Sequence, residues 1–413
     1  MIYLFYFVAF SGISYFLIKQ RRFDFLSLAY ASSLLYFLPG FFGHVGFKKF
    51  DSMSNISSIT YIVFIIVLIS IIVTAILYDK KERQPFPSYF LPKESIYIGY
   101  SALFLGLLSL VFVLATTGNS LFVADKSVVL SSLNRWMILF HFFIPLATII
   151  FFTQKKYYLL FFCFLFLIFD VLVGFRSSFA LTLISILTIA LNNKGSIRLI
   201  YYWKTLILSL AGVMFLLIIK MILYSIKSGD FSAIFDQKDL ILSSIINAEP
   251  FGIQLILNEV IIKNFETSLS QFSSLFAIFI PLYSTIDSTI ISFNDLFQPI
   301  LFAEINYGMA NNIWAQMWSS GGWLLLLLFL VFFNSILFLG SKLLLVNSSN
   351  LKAFTALLFS YWAFYIHRND IFYQLNLERR VLMVYMLSLI LSILVYKLLP
   401  HKVKSRSQNH VQV

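Results

Sequence analysis

Long apolar runs separated by short polar joints recur along the chain. They fall at about 1–18, 25–42, 57–78, 95–116, 135–153, 157–174, 178–191, 201–225, 323–340, 351–367 and 380–398. A helix needs roughly 20 apolar residues to cross a bilayer, and most of these runs reach or approach that length. The seventh is short and makes a tight hairpin with the sixth. The runs are continuously apolar and do not alternate with period two, so they predict helices and not barrel strands. The expected fold class is an all-α polytopic membrane protein with about 11 transmembrane helices. Helices 1–8 occupy 1–225, a large loop with amphipathic helices occupies 226–322, helices 9–11 occupy 323–398, and a cytoplasmic tail occupies 399–413. The first run lacks a basic flank before it and a small-residue cleavage site after it. Lys19, Arg21 and Arg22 follow instead, so it reads as a retained helix and not a signal peptide.

Composition sharpens this picture. The chain has 413 residues, 60% hydrophobic and only 12% charged, against about 25% charged in ordinary soluble domains. Mean hydropathy is +0.88. A cytosolic enzyme, a nucleic-acid-binding module and a disordered chain are all excluded. The net charge of +12 therefore concerns topology and not nucleic acid. The single cysteine, Cys163, lies in an apolar run, so neither a disulfide framework nor a cysteine metal site is expected.

With the N-terminus placed outside, 18 of the 30 Lys and Arg residues fall on inner segments and 12 on outer ones. The positive-inside rule favours that orientation. Residues 226–322 are then external. They carry nine acidic residues against Lys227, Lys238 and Lys263, so this segment is −6 while the rest is +18. Its apolar periodicity, as in LILSSIINAEPFGIQLILNEVII, predicts amphipathic helices on the membrane surface or over a cavity. LFAIFIPLY at 275–283 is a candidate for dipping into the interface.

The chain has no P-loop, GxGxxG, GxSxG, HExxH or DxD motif, which argues against nucleotide donors and metal catalysis. Neither a cofactor nor a metal is expected. The candidate chemistry lies in polar residues at the outer helix ends, where ionisable groups are costly and tend to face a wet cavity. Arg176 in VLVGFRSSFALTL stands at the hairpin tip between helices six and seven. A guanidinium there can grip a phosphate with two parallel hydrogen bonds, or snorkel to lipid headgroups. Asp170, one turn deeper, is a natural partner for it. HRNDIFYQLNLERR, between helices ten and eleven, brings His367, Arg368, Asn369, Asp370, Glu378, Arg379 and Arg380 together. Asp370 is either a base or the partner of Arg368. Arg379 and Arg380 read as interfacial anchors. Arg135 lies at the outer mouth of helix five beside Trp136. Glu249 in NAEPFG is a candidate base or sugar-hydroxyl acceptor, or a turn residue. Lys220, near the outer end of helix eight, snorkels or lines the cavity. Arginines suit a diphosphate, carboxylates and amides suit sugars, and the interfacial location suits a lipid-linked sugar.

In this layout the chain resembles the Wzy-type O-antigen polymerases, the oligosaccharide repeat-unit polymerases. Three segments carry the resemblance. GFRSSFALTLISIL is similar to the family's Gly-x-Arg hairpin. NYGMANNIWAQMWSSGGWLLLLLFLVFFN at 306–334 is similar to the segment closing the large outer loop, with Gln316 where a Glu is often expected. The HRND turn is the third. The resemblance implies a metal-independent membrane glycosyltransferase of GT-C-like type in the bacterial inner membrane. Its donor and acceptor would be undecaprenyl-diphosphate-linked oligosaccharides, polymerised at the periplasmic face in lipopolysaccharide biosynthesis. A chain-length regulator would be a further partner beside membrane lipid. Arg176 and Arg368 would stabilise the leaving diphosphate, and Glu249 or Asp370 would orient or deprotonate the acceptor hydroxyl. Arg135, Asn369, His367, Asn311, Gln316 and Lys220 would bind substrate. The rival readings are an O-antigen ligase, expected to carry a loop histidine that 226–322 lacks, and a flippase or transporter, expected to show two related halves.

Overall fold

The computed structural model describes residues 1–46, 53–80, 97–118, 121, 134–204, 249–279, 291–305 and 308–398. The chain is a helical bundle. Its first part runs α1 (Ile2–Ile18), α2 (Phe25–Tyr36), a single turn α3 (Pro39–Phe42), α4 (Ser58–Lys80), α5 (Ile98–Thr117), α6 (Arg135–Thr153), α7 (Tyr157–Val173) and α8 (Arg176–Asn192). Then come α9 (Glu249–Ile262), α10 (Phe293–Leu301), α11 (Ile313–Leu343), α12 (Ser349–Ser360) and α13 (Ile371–Leu398), with a 3₁₀ segment at Leu269–Phe279. A two-residue antiparallel ladder, β1 (His44–Val45) with β2 (Ser54–Asn55), closes the loop between α3 and α4.

Each apolar run except the eighth contains one of these helices. Only the first turns of that run, up to Lys204, lie within the described residues. Helices α4, α5, α6, α11 and α13 are long and apolar enough to cross a membrane, and α1, α2, α7 and α8 are shorter apolar helices. Their outward faces carry large bare side chains, such as Phe7, Phe161, Leu324 and Val331, each at least two-thirds exposed. A surface so apolar needs lipid around it. The protein is thus an all-α, multi-pass membrane protein by the character of its helices.

Helices immersed in lipid gain little from burying more apolar surface, so small and polar residues mark where they meet. On α8, Ser178, Thr182, Ser185, Thr188 and Asn192 recur at three- and four-residue steps and are all buried. That stripe faces α12, where Ser185 Oγ donates to Ser360 Oγ at 3.0 Å. Gly340 on α11 plays a related part, because a Cβ there would stand 2.4 Å from Phe359 of α12.

One element differs from the expectation for 226–322. Helix α9 is not an amphipathic surface helix. It is buried on every side from Pro250 to Asn258, packed against α4, α11, α2 and β1. Asn258 ties it down by accepting from Ser57 N at 2.9 Å and Thr60 Oγ1 at 3.0 Å. Helix α11 starts at Ile313 and kinks at Gly321–Gly322, the expected start of helix nine, where Gly322 takes φ +56° and ψ −142°, a conformation that essentially only glycine adopts. The paired glycines therefore join two helical arms. The described part of 275–283 belongs to the 3₁₀ segment, where the Ile278 carbonyl accepts from Arg379 of α13 at 2.6 Å; earlier in the same segment Phe272 stacks on Phe372.

Candidate functional site

The site is assembled from chain reversals at one end of the bundle. Helix α7 ends at Gly174, whose φ of +116° favours glycine. The amides of Gly174 and Phe175 both donate to the Asp170 carbonyl, at 3.2 and 3.0 Å. This closes the α7–α8 turn so tightly that Arg176 is the first residue of α8. Opposite it, α12 widens into a π turn at Tyr361–Tyr365 and then narrows to a 3₁₀ turn at Ile366–Arg368. Such π turns often occur at functional positions. This one brings Tyr365 under Arg368, with the guanidinium carbon 4.7 Å from the ring centre.

Arg368 Nη1 lies 2.6 Å from Glu249 Oε1 at the head of α9. Both remain open to the outside, with 30% and 40% of their side chains exposed. Burial opposes the Arg368 charge, but Tyr365, Glu249, Tyr36 and Tyr373 together hold it above its ordinary range. Arg176 lies within electrostatic reach of Glu249, Arg368 and Tyr365. Ser177, the next residue on α8, lies close enough to Tyr365 to interact with its hydroxyl. Two guanidinium groups, one carboxylate and a set of tyrosines thus meet where α2, α8, α9 and α12 end. Such a site can hold a polyanion through the arginines and present aromatic faces and hydroxyls to a sugar.

The remaining predicted residues are placed differently. His367 is fully buried beneath Arg368. Its Nδ1 accepts from Trp314 Nε1 at 3.0 Å and its Nε2 lies 3.2 Å from Ser33 Oγ. With Nδ1 an acceptor, the ring is neutral and its proton sits on Nε2 toward the hydroxyl. It is also stacked on Tyr36. His367 therefore anchors the turn that carries Arg368. Asp370 is fully buried too and accepts from Tyr373 N at 2.6 Å and Phe293 N at 2.9 Å. Burial pushes its carboxyl up, against those two N–H donors. It caps α13 and holds α10 to it, and its partners are these amides, not Arg368.

Gln316 is likewise enclosed, accepting from Ile371 N at 2.9 Å and reaching Gln271 Oε1 at 3.3 Å. It joins α11 to the start of α13. Asn369 Nδ2 donates to Gln374 Oε1, and Gln374 Nε2 to Glu378 Oε1, each at 2.8 Å. Asn311 is half-buried, with its Oδ1 enclosed and lacking a hydrogen-bond partner. Its neighbour Asn312 caps α11 through Trp314 N and Ala315 N. Arg135 is exposed at the start of α6 beside Trp136, which stacks on Phe112. No described contact joins it to Arg176 or Arg368. Lys220 lies outside the described residues. Arg379 donates to the Ile278 carbonyl at 2.6 Å, so it secures the 3₁₀ segment. Asp170 meets a partner other than the expected Arg176: His141 Nδ1 of α6, at 2.7 Å.

Sequence reading missed Tyr365, Tyr36 and Ser177. The only signal for Tyr365 was an aromatic residue three places before an arginine in YIHR, and Tyr36 carried none. Among the described residues, no three of His, Cys, Asp and Glu come together in the manner of a metal site. An apolar groove of about 620 Å³ lies between α4 and α11, lined by residues such as Ile66, Val73, Leu327 and Phe338. It contains none of the charged residues above. Compared with protein-family models, curated proteins and solved structures, the chain matches none of them.

Proposed function

We propose that the protein is an O-antigen polymerase, joining undecaprenyl-diphosphate-linked oligosaccharide repeat units at the periplasmic face of the bacterial inner membrane. The observation that carries this reading is the half-open Arg368–Glu249 pair with Arg176 in electrostatic reach, at one end of the bundle. An acceptor sugar hydroxyl attacks the anomeric carbon of the donor glycan. The bond to the lipid diphosphate breaks, and its electron pair leaves with the diphosphate. Negative charge grows on that leaving group, where positioned guanidinium groups lower the barrier most. Glu249 holds Arg368 in place and is itself open enough to accept from a sugar hydroxyl. The proposal includes eleven spans in a GT-C-like arrangement, with 226–322 on the periplasmic side.

The test is the lipopolysaccharide profile of a deletion strain. A polymerase defect leaves lipid A–core bearing a single repeat unit. A ligase defect leaves bare core, and a flippase defect strands repeats inside the cell. An unchanged ladder would sink the proposal.

A further inference from the structure

Arg380 is a guanidinium within the bundle that the outer site does not account for. Its neighbour Arg379 is engaged by the Ile278 carbonyl and by Asn376 Oδ1. Arg380 is half-buried, and among the described residues it has no hydrogen-bond, ion-pair or ring partner. Its nitrogens are nonetheless not enclosed. The ionisable groups within electrostatic reach of it are Tyr373, Arg379 and Tyr361, none of them a carboxylate. An arginine within a spanning helix is costly, and it normally pairs or faces a wet cavity.

Two antiparallel helices lean Arg380 and Arg368 toward one another. Phe354 of α12 stacks on Tyr385 of α13, their rings 4.4 Å apart, which fixes the register of the two helices. Arg368 lies fourteen residues beyond Phe354, and Arg380 five before Tyr385. Their backbones therefore stand roughly 13 Å apart along the axis, with Arg380 the deeper. Helical side chains tilt toward the N-terminus of their own helix. Helix α12 runs toward the outer site and α13 away from it, so the two stems converge. Arg368 shows this lean, lying over Tyr365 three residues earlier. Tyrosines fill the interval. Tyr365 and Tyr361 meet edge to face with ring centres 6.2 Å apart. Tyr373, 44% exposed and seven residues before Arg380, is within electrostatic reach of both arginines.

We infer that Arg380 is a specificity-determining residue, which takes the lipid-proximal phosphate of a lipid-linked diphosphate while Arg368 takes the glycan-proximal one. This rests on the polymerase reading and deepens it. A diphosphate on a membrane lipid is oriented by its tail, so the phosphate nearer the tail lies deeper, and Arg380 is the deeper guanidinium. Each phosphate meets a planar fork of donors, and the tyrosines between them add hydroxyl groups. A lipid monophosphate with the same tail engages only one of the two arginines. The pair therefore selects a diphosphate-linked substrate over the monophosphate.

The test compares wild type with Arg380→Gln as full-length protein in detergent, titrated with undecaprenyl diphosphate and undecaprenyl monophosphate and followed by native mass spectrometry. The wild type should bind the diphosphate at least about 10-fold more tightly, the scale of one charge-assisted hydrogen bond. Arg380→Gln should lose that preference and bind the monophosphate as wild type does. An unchanged preference in Arg380→Gln overturns the assignment. Displacement of the diphosphate from wild type by equimolar phosphatidylglycerol also overturns it, and makes Arg380 a headgroup anchor. Phenylglyoxal labelling of the wild type covers the case in which the variant does not fold. Undecaprenyl diphosphate should shield Arg380 and the monophosphate should not, whereas equal labelling with both overturns the proposal. Elongation of a synthetic lipid-linked repeat unit separates the two readings. A wild type that holds the diphosphate through Arg380 but elongates nothing supports the site and overturns the polymerase. An active wild type beside an Arg380→Gln of unchanged preference overturns Arg380 alone.

Discussion

Two clusters of charge stand at opposite ends of the bundle, and they are built in opposite ways. At the end expected to face inward, Arg21 is 1% exposed, and each nitrogen of its guanidinium has a partner. It meets Asp24 at 2.9 Å and Asp79 at 3.2 Å, and it also donates to Ser27. Tyr15 adds a hydrogen bond to Asp79 at 2.8 Å, and Phe16 lies under the guanidinium. The Arg21 backbone exchanges two hydrogen bonds with Ile197 beyond α8. At the opposite end Arg368 pairs with Glu249 and stays 30% exposed, with Arg176 near enough to repel it. Burying charge is costly unless each group is paired. The inner cluster meets that requirement internally and clamps α1, α2, α4 and the α8 exit. Among the described residues the outer cluster brings two guanidinium groups within electrostatic reach of the Glu249 carboxylate, which is half-open with Arg368. The closed cluster is built as a clamp, whereas the Arg368–Glu249 pair stays accessible.

The comparison breaks most severely if the inner cluster is opened. Arg21→Met leaves the buried Asp24 without its cation and Asp79 with only the half-exposed Lys19 at 3.4 Å. Removing one partner of a buried pair costs about 3–5 kcal/mol, so protein level and thermal midpoint in detergent should fall sharply. Normal accumulation of this variant would mean that the inner cluster is not a clamp.

The outer cluster should fail in activity and not in stability. Arg176→Lys keeps the charge but loses the planar fork that takes two phosphate oxygens. Polymerisation should drop by about 10²–10³-fold, the scale of losing an oxyanion-hole donor, while protein still reaches the membrane. Complementation of a deletion strain, scored for ladder length and protein level together, checks this. Full ladders would assign Arg176 to lipid headgroups and leave Arg368 as the diphosphate contact.

Glu249→Gln sharpens the contrast between the two ion pairs. A half-exposed pair contributes about 0–1 kcal/mol, so the thermal midpoint should barely move, in direct opposition to Arg21→Met. Ladders should shorten because Arg368 loses its tether. A large fall in stability would make this pair a clamp as well.

The smallest effect is expected at Arg135, which stands exposed at the start of α6. Arg135→Ala should leave both protein level and ladder length near wild type. A lost ladder would place Arg135 in the outer site.

The sequence alone determined where the helices lie. Lipid tolerates no unpaired backbone, so a spanning segment must be continuously apolar, and that requirement is written residue by residue in runs such as 58–80 and 135–153. It also marked Arg176 and Arg368 as unusual, because an arginine at the end of an apolar helix carries a cost wherever the neighbours lie. Partnership was decided only by the tertiary structure. Asp170 lies six residues from Arg176 along the chain, yet it pairs with His141 from a different helix. His367 and Arg368 are adjacent in sequence, but one is sealed under Trp314 and Ser33 while the other faces outward onto Glu249. Helix α9 reads as a surface element until α4 and α11 are seen to enclose it. Which face of a helix meets which neighbour depends on packing between segments far apart in the chain. Uniformly apolar helices carry almost no periodic mark of that choice, so only the folded bundle separates a buried strut from a group that can touch a ligand.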